Sequence, residues 1–351
     1  MNRLTSTAAL LLTGATVVTA LTACGGPPDP AAAPEGATVT VRDCGQDTPF
    51  PSPARRMFVN DGNMISMVLA IGAQQQVAAV SSLQRDADVL RRHYGAPAVD
   101  ALNQVAPAAP ALETVLANDP DVMVAGWSYG YKEATGVTPE RLRGEGIAPY
   151  VLTESCRHPD GKGRGTVDPW EALRTDLRNL GTITGRTADA DRVVADIDAR
   201  LAALRAAPQA PTPPPVFLFD SGTDTPYSSG RFGGPQAVLS AASAGNVLSD
   251  VDDTWTKVSW ERVTRAQPEA IVFVDYPPQT FAQKVALLRS RPDTRDLPAV
   301  KANRFLNLPY AMWTSGPLNI DAAEQVRKAL EGWKLVPGSG ITPRTDDVPQ
   351  G

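Results

Sequence analysis

Residues 187–207 read TADADRVVADIDARLAALRAA. Val193, Ile197, Leu201 and Leu204 recur at spacings of four, four and three, which places them on one face of an α-helix. Asp191, Asp196, Asp198, Arg200 and Arg205 fall on other faces. Thr187 can cap the start, and Pro208 ends the run. At about 1.5 Å per residue such a helix spans roughly 30 Å, the width of a small domain. Periodicity alone fits an ordinary amphipathic surface helix. A spine joining two lobes is the sharper reading, and the flanks decide between them.

On each side the pattern alternates between strand-like and helix-like segments. Before the helix, strands are expected at 56–60, 77–81, 122–125 and 150–153, with an edge strand at 37–42. Helices are expected at 64–71, 112–116, 139–146 and 169–180, the last closed by Gly181. After it, residues 208–215 hold five prolines in eight positions and form a stiff connector. Strands then follow at 216–219, 271–274 and 305–308, and helices at 235–244, 281–289 and 320–333. Such alternation means an α/β fold with parallel strands and crossover helices. From residue 337 the chain reads as a polar, poorly ordered tail.

At 351 residues the chain suggests two domains of moderate size. A net charge of −5 without any Lys/Arg-dense stretch argues against a nucleic-acid partner. The first 24 residues read as a targeting segment, with Arg3 followed by an apolar run that is too short for a confident membrane span. The run ends in Leu21-Thr22-Ala23-Cys24, which looks like a bacterial lipobox with Cys24 as the acylated residue. Two acyl chains provide stable anchoring where one is marginal. Residues 25–40 then form a Gly/Pro/Ala tether. Cys44 and Cys156 remain, and an even pair in an exported chain reads as one disulfide, with two free thiols as the alternative.

Two segments mirror each other across the helix. Glu113 precedes Pro120 by seven residues, and Glu261 precedes Pro268 by seven; an acidic residue and a strand follow each Pro. Either Glu alone is simply a carboxylate favoured at a helix N-terminus. Together with Leu112, the run Asp119-Pro120-Asp121-Val122, Ser259-Trp260 and Gln267-Pro268-Glu269-Ala270, they resemble a pattern of the solute-binding lipoproteins of ABC importers for iron–siderophores, haem and cobalamin. Tyr227-Ser228-Ser229-Gly230 and Gly245-Asn246-Val247 match further turns of that family, so the resemblance covers about residues 55–333. Glu269 stands where the family usually has Asp.

The resemblance implies two parallel-sheet α/β lobes, 41–186 and 208–336, joined by the single helix 187–207, with a ligand cleft between them. One helix bends less readily than several crossover strands, so limited cleft closure is expected. The resemblance also implies that Glu113 and Glu261 dock on an ABC permease dimer. The protein would then be a monomer, lipid-anchored at the extracytoplasmic face of a bacterial membrane, that captures a ferric siderophore or a similar large chelate.

Residues just after the strands are the candidate cleft wall. The first lobe supplies 60–64, Trp127, Tyr129, Tyr131 and Lys132, with Asn60 foremost of the first run. The second supplies Tyr227, Arg231, Phe232, Trp255, Tyr276, Tyr310, Met312 and Trp313. That is a large share of a chain only 6% aromatic, and it suits a flat or lobed organic ligand. Arg231 could fork hydrogen bonds to carbonyl or carboxylate oxygens. His93 and His158 are the only histidines and sit in polar surroundings, so no direct metal site and no cofactor is expected. A neutral or weakly charged chelate such as a ferric hydroxamate fits one basic wall residue per lobe better than a triply anionic catecholate complex. Ser128 and Ser228 lack a plausible His, and Asp61, Asp220 and Asp275 lack an activating partner, so an enzyme is not expected. A ligand scavenger or sensor without an importer is the other class of reading.

Overall fold

The computed structural model describes residues 37–345. Cys24 and most of the expected tether lie outside the described residues. From Thr38 the chain is already paired: β1 (Thr38–Asp43) and β2 (Gln46–Pro51) form an antiparallel hairpin. The tether expected to reach residue 40 therefore ends earlier. The two hairpin-turn residues, Cys44 and Gly45, have φ of 45° and 77°, the positive values that match the twist of the flanking strands. Cys44 is bonded to Cys156, with Cα atoms 5.4 Å apart and 112 residues between them.

The first lobe continues with β3 (Met57–Asn60), α1 (Gly62–Ala70), β4 (Val77–Ser81), α2 (Ala87–Tyr94), α3 (Ala96–Asp100), β5 (Gln104–Ala106), α4 (Leu112–Leu116), β6 (Val122–Trp127), β7 (Gly130–Tyr131), α5 (Pro139–Gly144) and β8 (Ala148–Val151). Its sheet runs β5-β4-β3-β6 with β7 and β8 both on β6, and every pairing is parallel. Such strands are covered on both faces, which is why MFVN and VMVAGW read as continuous apolar runs. Helices α6 (Pro169–Thr184) and α7 (Thr187–Ala206) follow.

The second lobe comprises β9 (Pro215–Phe219), β10 (Tyr227–Ser229), α8 (Gly234–Ala241), β11 (Gly245–Asn246), β12 (Trp255–Lys257), α9 (Trp260–Ala266), β13 (Ala270–Asp275), α10 (Phe281–Ser290), α11 (Pro298–Lys301), β14 (Phe305–Pro309) and α12 (Asn319–Gly332). Its parallel sheet runs β11-β9-β13-β14, and β10 and β12 form a separate antiparallel pair.

The long helix differs from its expected form in two ways. Its buried face is Ala190, Val194, Ile197, Leu201 and Leu204, with Val193 only partly covered. Arg200 is buried too, because α12 presents Asp321 and Glu324 to it: Nη2 lies 2.7 Å from each carboxylate. The face is wider than the apolar spacing shows because a paired cation can be covered where a lone one cannot. The preceding helix also runs past Gly181 to Thr184 and is closed by Gly185 at φ 70°. Gly181 is no stop; a Cβ there would overlap Ala190, so it permits close approach of α6 and α7. The start of α7 is not capped by Thr187, which is already helical.

One apolar cluster runs through both lobes. Met64, Ile65 and Leu173 from the first pack with Ile197 and Leu201 of α7 and with Val238, Ile320 and Val326 of the second. A shared core ties the lobes at their base, since separating them would expose surface worth about 25 cal/mol per Å².

The tail expected to be poorly ordered from residue 337 is packed as far as residue 345, and residues 346–351 lie outside the described residues. Residues 337–345 fold back over α12 and α7. Arg327, fully buried, donates to the carbonyls of Pro208 and Pro337 at 2.6 and 2.8 Å. Arg344 pairs with Asp196 at 2.9 Å, and Thr345 lies 3.4 Å from His93 of the first lobe. Polar composition read as disorder, but these polar groups have partners on helices distant in sequence. Truncation after Val336 strips the buried Arg327 of one acceptor and should cost about 1–3 kcal/mol in urea unfolding. Unchanged stability would make the segment a passive tail.

Candidate functional site

Each sheet reverses its strand order once. From β3 the chain steps to β4 and β5 on one side and then to β6 on the other. From β9 it steps to β11 on one side and to β13 on the other. Ligands of open parallel sheets lie beyond the strand carboxyl ends at such a reversal. Here those ends carry Asp61 and Ser128-Tyr129 in one lobe, and Asp220 and Tyr276 in the other. Asp61 and Ser128 hold φ of 74° and 69°, strained values for non-glycine residues and common at functional clefts.

Between the lobes lies a cavity of about 260 Å³ lined by Ser128, Tyr129, Arg164, Asp220, Ser221, Tyr227, Trp255, Tyr276 and Tyr310. Tyr227 stacks on Trp255 at 6.2 Å, and Tyr276 meets Tyr310 at 5.0 Å. Arg85 of the first lobe lies 4.3 Å from the centre of the Tyr310 ring and pairs with Asp61. Tyr310 Oη donates to Asp61 Oδ2 at 3.2 Å, closing the floor across the lobes. A larger hollow of about 440 Å³ lies under the C-terminal segment beside α7. Its Arg192, Arg200 and Arg344 already pair with Asp189, Asp321 and Asp196, so it is a seam between packed elements.

Arg164 is the cation of the cavity wall. It donates to Trp255 O at 2.7 Å and to Trp127 O at 3.3 Å, and lies 3.6 Å from Asp253. Burial opposes its charge, but Tyr129, Tyr227, Asp253 and Glu154 outweigh that and hold its pKa above the ordinary value. Two wall donors are left over: Tyr129 Oη and Trp255 Nε1 are buried without a hydrogen-bond partner. Burial, then Glu154 nearby, pushes the Tyr129 hydroxyl well above its usual pKa, so it keeps its proton as a donor. An unpaired buried donor is costly, and a ligand oxygen would relieve it.

First-lobe side chains hold second-lobe backbone around this cavity. Asp86 accepts from Ala311 N at 3.0 Å. Glu154 accepts from Gly234 N and Ser315 N at 3.3 and 3.2 Å, and Asn63 donates to Ser315 O at 2.8 Å. Burial lifts both carboxyls to about 7: the Arg85 charge opposes the lift at Asp86, and the Gly234 amide and Arg164 oppose it at Glu154.

Four of the expected ligand residues, Tyr129, Tyr227, Tyr276 and Tyr310, line the cavity. The other four do not. Asn60 is buried at the end of β3, where it accepts from Ser81 Oγ at 2.7 Å. Trp127 is half-buried under the Arg157 guanidinium, 3.4 Å from the ring centre. Arg231 pairs with Asp252 at 2.8 Å on the surface and rests on Phe232. Trp313 is wholly buried and donates to Phe273 O at 3.0 Å, because the turn after β14 carries it back into the core. The cationic wall group is therefore Arg164 in place of Arg231. Arg164 sits in the Gly-rich loop RHPDGKGRG, away from any strand end, so strand-end reading had no means of finding it.

Glu113 and Glu261 occupy the first turns of α4 and α9, and both are exposed. Glu261 pairs with Arg265 at 2.8 Å. A left-handed residue stands directly before each proline: Asp119 at φ 45°, past the end of α4, and Gln267 at φ 46°, the cap of α9. The two segments thus repeat one local structure.

The family model for periplasmic binding proteins matches residues 61–311. A vitamin B12-binding protein of Pectobacterium atrosepticum is 27% identical over 234 residues, covering 65% of this chain and 74% of its own. Among solved structures, an ABC-type Fe3+-hydroxamate transport system protein of Saccharomonospora viridis superposes with TM-score 0.68 at 20% identity, covering 83% of this chain and 98% of that one. A periplasmic heme-binding protein of Pseudomonas aeruginosa superposes at 0.60 with 22% identity, covering 84% and 100%. With two lobes, parallel sheets that each reverse their strand order once, and a cleft at the strand ends, the chain belongs to the periplasmic binding protein family.

Proposed function

We propose that this protein captures a ferric siderophore in the inter-lobe cavity and delivers it to an ABC permease. It would act as a monomer held at the outer face of the membrane through lipid on Cys24. The observation that carries the ligand reading is the cavity wall: four tyrosines and a tryptophan around Arg164, with Tyr129 Oη and Trp255 Nε1 unpartnered. Aromatic faces and spare donors suit an organic chelate rich in oxygen acceptors. The cationic groups Arg85 and Arg164 lie beside Asp61, Asp86 and Asp253, so the site has little net positive charge to attract a triply anionic complex. A ferric hydroxamate, neutral or singly charged, fits this balance.

Cobalamin is the second reading, favoured by the likeness to the Pectobacterium protein. Quenching of intrinsic tryptophan fluorescence separates the two. Titration with ferrioxamine B, a ferric tricatecholate, cyanocobalamin and hemin should give submicromolar affinity, at least about −8 kcal/mol, for the hydroxamate only. Tight binding of cyanocobalamin or hemin alone overturns the siderophore assignment, and tight binding of the catecholate alone overturns the preference for a hydroxamate.

A further inference from the structure

We infer that residues 157–165 form a lid over the inter-lobe cavity and that ligand is admitted by its displacement. The inference rests on the cavity being the ligand site. The segment is a small hairpin. Gly165 N donates to Cys156 O and His158 N donates to Gly163 O, both at 2.9 Å, and Arg157 bridges to Arg164 between them. Its base is fastened to the first lobe three times: by the Cys44–Cys156 bond, by Arg157 on the Trp127 ring, and by Arg157 to Glu133 at 2.9 Å. Its far side rests on the second lobe. Arg164 N donates to Asp253 Oδ1 at 3.2 Å, and the His158 ring meets Phe232 edge-on at 5.8 Å. A Cβ on Gly165 would overlap Phe232, so the hairpin lies flush on that loop. The hairpin thus crosses the cleft, and it carries Arg164 into the cavity wall.

Size requires something to move. The cavity holds about 260 Å³, below the roughly 300–1,000 Å³ of pockets that enclose drug-sized ligands, and siderophore chelates are larger than most of those. The remaining cross-lobe contacts resist opening. Asp86, Glu154 and Asn63 hold backbone groups in buried positions, and the apolar core runs unbroken under them. The hairpin is held differently. Residues 159–162 are exposed, and its grip on the second lobe is the bonds of Arg164 to Asp253 and to Trp255 O and the seat of His158 and Gly165 on Phe232 at the rim. Such rim contacts are individually weak and break locally without global unfolding. The disulfide at the base keeps the hairpin attached while its tip swings.

Stopped-flow mixing of the full-length protein with ferrioxamine B tests this. Phe232→Ala and His158→Ala loosen the second-lobe grip at residues that do not line the cavity. Both association and dissociation rates should rise about tenfold, leaving Kd changed by less than about threefold, because binding limited by a conformational step is slower than docking itself. Unchanged association rates in both variants overturn the lid. Hydrogen exchange on ligand-free protein gives an answer that does not depend on the ligand. The Arg164 amide should exchange far faster than the Ser315 amide and faster again in Phe232→Ala; equal protection of the two amides overturns the lid. Absence of ferrioxamine B binding by the wild-type protein would instead remove the ligand assignment and leave the exchange result to decide the lid.

Discussion

Arg200→Met should lower the unfolding free energy by about 3–5 kcal/mol, the usual cost of breaking a buried ion pair from one side. Arg200 is the one cation on the buried face of α7, and it meets Asp321 Oδ1 at 2.7 Å and Glu324 at 2.7 and 2.8 Å. Asp196, one turn away, stands 3.8 Å off. Burial works against the guanidinium charge, but the hydrogen bonds it donates to Glu324 and Asp321 outweigh that and keep the pKa above its ordinary value. With Arg200 gone, two carboxylates remain in a nearly closed site facing each other and a thioether. Methionine keeps the stem volume, so the loss reports charge pairing and not a cavity. Guanidinium unfolding of the full-length protein is the measurement. The triple variant Arg200→Met, Asp321→Asn, Glu324→Gln should recover most of the loss, since it removes the stranded charges along with their partner. A single-variant loss below about 1 kcal/mol, the range of exposed pairs, would show that water reaches the cluster.

The consequence is wider than stability. The cluster joins α7 to α12, so it fixes the second lobe on the connecting helix at the point where a hinge would otherwise lie. Together with the shared core this leaves little freedom for one lobe to swing about the other, and it shifts the burden of admitting ligand onto the cavity rim.

Glu113→Ala combined with Glu261→Ala should reduce uptake of iron-loaded chelate to background in cells carrying the matching permease. The two carboxylates are exposed, one per lobe, in equivalent first-turn positions. Desolvated charge pairs at an interface cost about 2–5 kcal/mol each when one partner is truncated, so two losses suffice to abolish productive docking. Each single variant should be intermediate. Neither residue lines the cavity, so ligand affinity should stay within about twofold, as for sites that share no partners. Glu261 must first release Arg265, an exposed pair on its own helix that costs little to break. Wild-type uptake by the double variant would refute the docking assignment, and unaltered docking with lost ligand binding would place these residues in the site instead.

Repeats, periodicity and strand ends are properties of neighbouring residues, and what depends on them was legible in the sequence. The alternation of strands and helices, the long α7, and the mirrored Glu–Pro–strand units follow from spacing, capping and turn chemistry that act within a few residues. The tyrosines at strand ends were legible for the same reason: a parallel sheet puts every such end on one side. Tertiary packing decided the rest. Whether an aromatic after a strand faces the cleft or the core depends on what lies opposite it; Trp313 finds Phe273 O and is buried, while Tyr310 finds Asp61 and Arg85 across the lobes. Arg200 is buried only because α12 brings Asp321 and Glu324 to it, 121 and 124 residues away in the chain. Arg164 reaches the cavity because a disulfide and a stacked arginine hold its hairpin across the cleft. In each case the deciding partner is remote in sequence, and burial or charge pairing has meaning only once the chain has brought the two together.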